Sequence, residues 1–269
     1  MGRIYSFANQ KGGVGKTTTA VNLGAFLAGF NQRVLLVDLD PQANATSCLG
    51  IDKQTVQNST YDVIIGSTPA IKNILYNQRL KLSLLPSSPA LAGAEVELVS
   101  VISRETRLRE MLHPLIERYD YILIDCPPSL GLLTLNGVVA ARDGVIIPVQ
   151  CEYLALEGIG QLNQTLARIR TAIFPGLRVR GVVLTMFDIR TRLSADVVKE
   201  INRHFPDQVF ETIIPRSVRL AEAPSYGQPI SVYAPGSNGA IAYSNLAREI
   251  LIGDGVFIPE TIPSLVSAE

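Results

Sequence analysis

The residues best suited to chemistry lie near the start of the chain, in the run Lys11-Gly12-Gly13-Val14-Gly15-Lys16-Thr17-Thr18. Glycines let backbone N–H groups approach phosphate oxygens, and a helix N-terminus adds partial positive charge. Lys16 would reach the β- and γ-phosphates, and the Thr17 hydroxyl would ligate Mg²⁺. The run therefore predicts a phosphate loop whose eight residues hold a nucleoside triphosphate.

This loop departs from the general phosphate-loop template, G-x-x-x-x-G-K-[ST], at its first position. Gln10 stands where that template has its first glycine, and an additional lysine, Lys11, follows it. For Lys11 the plain alternative is a solvated loop lysine.

Three aspartates end predicted strands and are candidates for metal binding and catalysis. Asp38 and Asp40 share one face of an extended chain, so both can point towards the phosphates. We expect Asp40 to orient the attacking water and Asp38 to support the magnesium shell, with an Asp-capped turn at Asp40-Pro41 as the alternative. Asp125 closes the apolar run 121–124 and would hold Mg²⁺ through a water molecule.

Short apolar runs alternate with helix-like stretches along the whole chain. Because these runs are almost wholly apolar, they are typical of strands buried on both faces of a parallel sheet. The prediction is a single α/β domain of the P-loop NTPase class, with a mostly parallel twisted sheet covered by helices on both faces. The predicted strands are 4–8, 34–37, 80–85, 121–124, 145–149, 179–184 and 209–214.

The glycine loop sits between the first strand and a helix, as a phosphate loop requires. That helix is predicted over 17–28, with Gly29 as its C-terminal cap. We place the ATPase domain at 1–252 and a flexible tail at 253–269, which holds Gly255, Pro259 and Pro263 and shows no amphipathic pattern.

Composition excludes several classes of protein. Hydrophobic residues make up 47% and charged residues 18%, which argues against disorder. Three scattered cysteines argue against a disulfide scaffold or a structural zinc site, and no signal peptide or long apolar segment is present. A cytoplasmic protein without membrane attachment is expected.

Charge is distributed unevenly, although the net charge of the chain is zero. Residues 168–219 carry 10 basic and 5 acidic side chains, a local excess of +5. A small patch of this size predicts weak nucleic-acid binding by one copy and stronger binding by two, because affinity grows with the number of phosphates neutralised.

The phosphate loop resembles the deviant Walker A box of the ParA/MinD group of P-loop ATPases. With the boxes at 121–128, 151–158 and 214–225, the chain resembles the chromosomal ParA (Soj) family over roughly residues 1–250. The resemblance implies an ATPase that segregates chromosomes or plasmids, with ATP and Mg²⁺ as cofactors. It implies an ATP-sandwiched homodimer in which Lys11 crosses to the partner's nucleotide, so the implied catalytic set is Lys11, Lys16 and Asp40.

Family resemblance also implies the partners and the DNA-contacting residues. The dimer binds double-stranded DNA without sequence preference on the nucleoid, and a ParB-type protein stimulates otherwise slow hydrolysis. Arg190 and Arg219 match the family's DNA-contacting arginines, while Lys199 and Arg203 are candidates to extend the patch from a helix beginning near residue 194. For all four the alternative is a solvated charged face.

Base recognition is placed by resemblance at the backbone of Pro215 and Arg216. Position 188 holds Asp where some relatives in the wider group have an adenine-reading Asn, so the base contact stays open.

Four other functions are weighed against this one. A MinD-like membrane-bound regulator needs a basic amphipathic C-terminal helix, and residues 253–269 contain no Lys or Arg. A metal-cluster ATPase needs paired cysteines, and the three cysteines of this chain are scattered. A small-molecule kinase or ligase would not need Lys11, and a ParA-like protein that positions another cargo stays open.

Overall fold

Seven strands form one sheet in the order β3-β4-β2-β5-β1-β6-β7. All neighbouring strands are parallel except β3, which pairs antiparallel with β4 at one edge. The computed structural model describes residues 2–258, without the side chains of 154–157, 159, 161 and 162. The strands are β1 (Arg3–Phe7), β2 (Val34–Asp38), β3 (Leu75–Asn77), β4 (Leu82–Leu85), β5 (Tyr121–Asp125), β6 (Gly144–Gln150) and β7 (Val179–Thr185).

Helices follow most strands and return the chain to the other end of the sheet, as parallel pairing requires. The α-helices are α1 (Lys16–Gly29), α2 (Asn44–Cys48), α3 (Thr60–Ile64), α4 (Leu91–Glu97), α5 (Arg107–Leu112), α6 (Leu132–Ala140), α7 (Leu154–Ala172), α8 (Arg192–His204), α9 (Val218–Glu222), α10 (Ile230–Tyr233) and α11 (Asn238–Gly253). Short 3₁₀ turns cover Ala70–Asn73, Leu98–Ser100, Arg104–Thr106, His113–Leu115 and Ala223–Tyr226.

Strand β2 shows how the sheet is buried on both faces. Val34 and Leu36 pack into the cluster that contains α1 and α11, whereas Leu35 and Val37 pack into the cluster that contains α4, α5 and α6. Successive side chains of a strand point to opposite faces, so an all-apolar run needs a helical layer on each side. Each fully buried Leu or Val contributes about 1.5–3 kcal/mol. The predicted fold class is confirmed.

Several boundaries differ from the prediction. Residues 209–214 are not a continuous strand: Val209 and Pro215 make isolated parallel bridges to β7 and the segment beyond it. Between these bridges, the backbone N–H groups of Glu211 and Thr212 donate to the Glu249 carboxylate at 2.7 and 3.0 Å, so a helix side chain replaces the strand pairing. Strand β3 was not predicted, because a three-residue, largely exposed edge strand carries no apolar run.

The C-terminal ends of α1 and of the domain also differ in detail from the prediction. Gly29 is the last residue of α1, and Phe30 takes the cap position. Of the predicted tail, residues 253–258 are described; Asp254 is held by side chains of the domain, and Val256 packs against the core. The remaining part, 259–269, lies outside the described residues.

Candidate nucleotide site

The phosphate loop links the end of β1 to the start of α1. Gly13 and Gly15 have φ angles of +74° and +86°, in the left-handed region that only glycine adopts without strain. Gly15 stands directly before α1, so the free N–H groups of the first helical turn border the loop. This is the geometry that binds phosphate oxygens.

Lys16 lies inside the site with its side chain held by the loop. Its residue is 7% exposed, and Nζ donates a hydrogen bond to the Lys11 carbonyl at 3.0 Å. Burial lowers the pKa of Lys16, an effect opposed by the negative charges of Asp125 and Asp40. A buried cation with a single weak acceptor is well prepared for an anionic ligand.

Asp125 ends β5 at the edge of the sheet where β1 and β2 also end. Strand register places it beside Phe7 on one side and beside Asp38 on the other. It is fully buried, and neither carboxylate oxygen has a hydrogen-bond partner among the described residues. Burial, reinforced by the charge of Asp38, raises the pKa of Asp125 well above the usual aspartate range, while Thr17 and Lys16 oppose the shift.

An unpartnered buried carboxylate beside a threonine hydroxyl fits a divalent cation. Mg²⁺ prefers oxygen ligands and is commonly held by one or two carboxylates together with phosphate oxygens. Asp125 and Thr17 supply that donor set, and the buried oxygens of Asp125 are the observation that supports the fit.

Asp38 and Asp40 are both buried, but the structure gives them different surroundings. The Asp38 carboxylate accepts hydrogen bonds from the backbone N–H and the hydroxyl of Thr46 at 2.8 and 2.7 Å, and from the Asp40 N–H at 3.2 Å. Burial raises the pKa of Asp38 to about 6 in spite of these bonds. These bonds fix the loop that carries Asp40, and the part of Asp38 in the magnesium shell stays a prediction.

A cavity of about 530 Å³ opens at this edge of the sheet and brings most of the predicted residues together. Asp40 faces it across from the glycine loop, and the Asp40 carboxylate also accepts the Gln42 N–H at 2.8 Å. Among the described residues the lining consists of Gly12, Gly13, Gly15, Lys16, Thr17, Thr18, Asp40, Asn44, Pro128, Thr185, Met186, Ile214, Pro215, Arg216, Ser217, Leu220, Ala221, Pro224 and Tyr243.

Some predicted residues stand behind this lining. Val14 is buried, and its carbonyl accepts a hydrogen bond from the Thr185 hydroxyl at 2.9 Å. Lys11 is partly exposed at the mouth of the loop and does not line the cavity. Asp38 and Asp125 are fully buried side by side at the ends of their strands and do not belong to the lining.

The part of the cavity lined by Met186 and by residues 214–224 is mostly apolar. Pro215 and Arg216 belong to this lining, and their contact with the base stays a prediction. Sequence reasoning missed Asn44, Thr185, Met186 and Tyr243. Thr185 ends β7, so the rule that ligands bind at the carboxyl ends of parallel strands was an available signal. Tyr243 lies far along α11 and had none.

The predicted DNA-contacting residues are all exposed at the surface. Arg190 lies five residues after the end of β7, and Arg219 lies in α9, four residues after Pro215, which pairs with Phe187. The structure therefore brings these two arginines to the same edge as the cavity. Lys199 and Arg203 lie one turn apart on α8, and Arg203 is about 17 Å along the helix from its first residue, so they extend away from that edge.

The part of the chain that the structure describes contains neither a membrane-spanning helix nor a cluster of metal ligands. Within residues 2–258, no helix is long and apolar enough to cross a membrane. In the same range no cluster of three or more His, Cys, Asp or Glu side chains has the arrangement of a metal centre.

A parallel sheet, a glycine loop leading into α1, and a buried lysine and aspartate at one cavity define a P-loop nucleotide-binding protein. The AAA domain family matches residues 2–179. Sporulation initiation inhibitor protein Soj of Bacillus subtilis is 52% identical over 250 residues, which cover 93% of this chain and 98% of Soj. The chain belongs to the Soj/ParA family of chromosome-partitioning proteins, so the predicted resemblance is confirmed.

Other relatives and solved structures agree with this assignment of family and fold. The chromosome partitioning protein ParA of Myxococcus xanthus is 51% identical over 255 residues, covering 94% of this chain and 89% of ParA. Cobyrinic acid a,c-diamide synthase from Mycobacterium smegmatis, with bound ADP and magnesium, has a TM-score of 0.83 at 37% identity and covers 98% and 100% of the two chains. The septum site-determining protein MinD of Pyrococcus horikoshii, complexed with Mg-ADP, has a TM-score of 0.76 at 28% identity and covers 96% and 100%. These ligands agree with the predicted cofactors.

Proposed function

We propose that this protein is an ATPase of chromosome or plasmid segregation that uses ATP and Mg²⁺. The observation that carries the proposal is the convergence of Lys16, Thr17 and Asp40 on one cavity, above the unpartnered carboxylate of Asp125. The Soj and ParA relatives, at 52% and 51% identity, supply the biological role.

Each residue has a defined task in this proposal. The N–H groups of the glycine loop and the Lys16 ammonium bind the phosphates, and the apolar end of the cavity receives the base. Asp40 orients the attacking water, since its carboxylate faces the cavity while Asp38 and Thr46 fix its loop. Thr17 and Asp125 hold Mg²⁺, which neutralises phosphate charge when bound.

Lys11 is assigned to a second copy of the chain. Its side chain belongs to the mouth of the loop rather than to the cavity wall, which suits a residue that reaches a neighbouring nucleotide. ATP then joins two copies, and the arginines beside each cavity form one surface for non-specific DNA binding on the nucleoid. A ParB-type partner accelerates hydrolysis that is slow without it.

Asp40→Ala tests the chemical part of the proposal. We expect unchanged ATP binding, ATP turnover reduced about 100-fold or more, and a dimer that persists in light scattering, because water positioning is lost and the phosphate loop is kept. Asp52→Ala, in an exposed loop outside the cavity, is the matched control. Loss of ATP binding in Asp40→Ala would show that Asp40 is assigned wrongly.

A gel shift on unrelated DNA duplexes, with and without a non-hydrolysable ATP analogue, tests the DNA-binding part. We expect binding that needs the analogue, falls steeply with salt and ignores sequence. Arg219→Glu should abolish this binding and spare dimerisation. Equal DNA binding in both nucleotide states would contradict an ATP-driven switch.

The resemblance to cobyrinic acid a,c-diamide synthase supports a second candidate, an ATP-dependent ligase. A ligase would couple ATP cleavage to amide formation on a small carboxylic acid and would need no DNA. Phosphate release stimulated by DNA and a ParB-type protein favours the first function, whereas release that depends on an acid and an amine donor favours the second.

A further inference from the structure

The basic side chains of segment 188–222, which includes Arg190 and Arg219, form ion pairs within the chain. All six Lys and Arg residues between 188 and 222 pair with a carboxylate of the same chain. The pairs are Arg190–Asp188, Arg192–Asp196, Lys199–Asp196, Arg203–Glu200, Arg216–Glu152 and Arg219–Glu222.

Carboxylate partners offset most of the positive charge of these side chains. The six basic side chains and their five carboxylate partners together carry a net charge of +1. The count along residues 168–219 leaves out two of these carboxylates, because Glu152 and Glu222 lie outside that segment and pair with its arginines.

Arg190 holds Asp188 through two parallel hydrogen bonds, the arrangement in which arginine also binds phosphate. Its Nε and terminal nitrogen donate to the two Asp188 carboxylate oxygens at 2.9 and 2.7 Å, and its backbone N–H donates to Asp188 at 3.1 Å. The Arg190 side chain is 82% exposed, so the pair lies at the surface. These bonds hold the pKa of Asp188 well below its usual range, and the carboxylate stays charged at neutral pH.

Arg219 is held in a similar way on the neighbouring segment. Glu222 accepts one hydrogen bond from Arg219 and one from the Tyr233 hydroxyl, both at 3.0 Å. The Tyr233 ring stacks on Tyr226 with centroids 4.9 Å apart, which fixes the hydroxyl that orients Glu222.

We propose that Asp188 and Glu222 are built-in competitors of DNA phosphate that set the affinity and the salt dependence of DNA binding. A phosphate must displace each carboxylate from its arginine, and the released carboxylate then repels the phosphate or takes up a cation. Exposed ion pairs are weak, so DNA phosphates can open them. Two copies together offer more arginines to the DNA than one copy does, and their combined binding free energy outweighs the cost of opening the pairs. This inference rests on the proposed DNA-binding function.

Neutral isosteres of the two carboxylates test this inference. Asp188→Asn and Glu222→Gln keep acceptor oxygens for the local hydrogen bonds and remove one negative charge each. Asp207→Asn is the matched control, because Asp207 makes no ion pair with a described residue and its left-handed φ of +59° also suits Asn. DNA affinity is measured by fluorescence anisotropy on a random duplex between 50 and 200 mM salt, with and without a non-hydrolysable ATP analogue.

We expect each variant, in the presence of the analogue, to bind DNA about three- to fivefold more tightly than wild type, and both together about tenfold or more. The slope of log affinity against log salt should become steeper by about one, because fewer cations are taken up on binding. In the Arg190→Ala background the gain from Asp188→Asn should fall to that of Asp207→Asn, which separates competition for the arginine from a general charge effect.

Three results would overturn the inference. If wild type binds DNA with the analogue, and both variants match Asp207→Asn in affinity and slope, competition is absent while the proposed function stands. A gain from Asp188→Asn that persists in Arg190→Ala would show repulsion without competition for this arginine. If neither wild type nor any variant binds DNA with the analogue, the proposed function fails and this inference fails with it.

Discussion

Asp125 and Asp254 are buried carboxylates at opposite ends of the same sheet, and their surroundings differ completely. Asp254 follows α11, and its side chain is 2% exposed. Its oxygens accept hydrogen bonds from the hydroxyls of Tyr5 and Tyr121 at 2.8 and 3.0 Å, and it pairs with Arg180 at 3.1 Å and Arg3 at 3.5 Å. The oxygens of Asp125 have no such partner among the described residues.

The difference distinguishes a carboxylate that is satisfied within the fold from one that we propose to hold Mg²⁺. At the amino end of the strands Asp254 has partners on several elements, and it ties the last helix to β1, β5 and β7. At the carboxyl end an unmatched carboxylate lowers the stability of the protein alone and favours a cation from outside. Function and stability therefore use the same residue type in opposite ways.

Replacing Asp254 should have the largest effect. Asp254→Ala leaves Arg180 and two tyrosine hydroxyls without their acceptor, and removing one partner of a buried pair is strongly destabilising. We expect the free energy of unfolding to fall by about 3 kcal/mol and the melting temperature by about 6–12 °C, with ATP affinity per folded molecule unchanged. Urea unfolding against Asp52→Ala as control measures this; an unchanged midpoint would make the network irrelevant to stability.

Asp125→Asn should stabilise the nucleotide-free protein, the opposite of the effect of Asp254→Ala. Removing an unpartnered buried charge should raise the free energy of unfolding by about 1–3 kcal/mol and the melting temperature by about 3–10 °C. The extra stabilisation that Mg²⁺ adds to bound ATP should disappear, and turnover should fall about 100-fold or more. Thermal melts with ATP, with and without Mg²⁺, measure both effects, and a destabilised variant would show that Asp125 is satisfied within the fold.

Alkaline pH provides the smallest test, on Tyr5 at the Asp254 end. Burial, followed by the charge of Asp254, raises the pKa of Tyr5 to about 12, above its ordinary value of 10. The folded protein therefore keeps a proton that the unfolded chain loses, and the stability that this gives is complete below pH 10 and is lost as the pH rises through 12.

Tyr5→Phe checks this pH dependence. At neutral pH we expect a loss of about 1 kcal/mol from the missing hydrogen bond, and a flatter decline of stability between pH 10 and 12 than in wild type. Urea midpoints at half-unit steps from pH 8 to 12 measure it. Identical alkaline profiles for the two proteins would place the titration elsewhere.

Much of the site was predictable because its signals are local. The glycine loop, Lys16 and Thr17 are contiguous, and Asp40 and Asp125 each end an apolar run. The hydrogen bonds of Asp38 were not predictable, because they depend on Thr46 folding back onto its carboxylate. Residues 209–214 carry a strand pattern, but Glu249 of α11 accepts the N–H groups of Glu211 and Thr212, a contact across 38 residues of sequence for Glu211.

Local residue order was sufficient for the family, the parallel sheet and the phosphate loop, since backbone conformation and strand burial follow from short patterns of glycine and apolar residues. Which charged side chains pair with each other was decided only by the tertiary structure. Asp254 meets Arg3 and Tyr5 across about 250 positions, and Glu152 meets Arg216 across 64. Coulomb energy depends on distance in space, so the count of +5 along residues 168–219 leaves out Glu152 and Glu222, which pair with Arg216 and Arg219 in the folded chain.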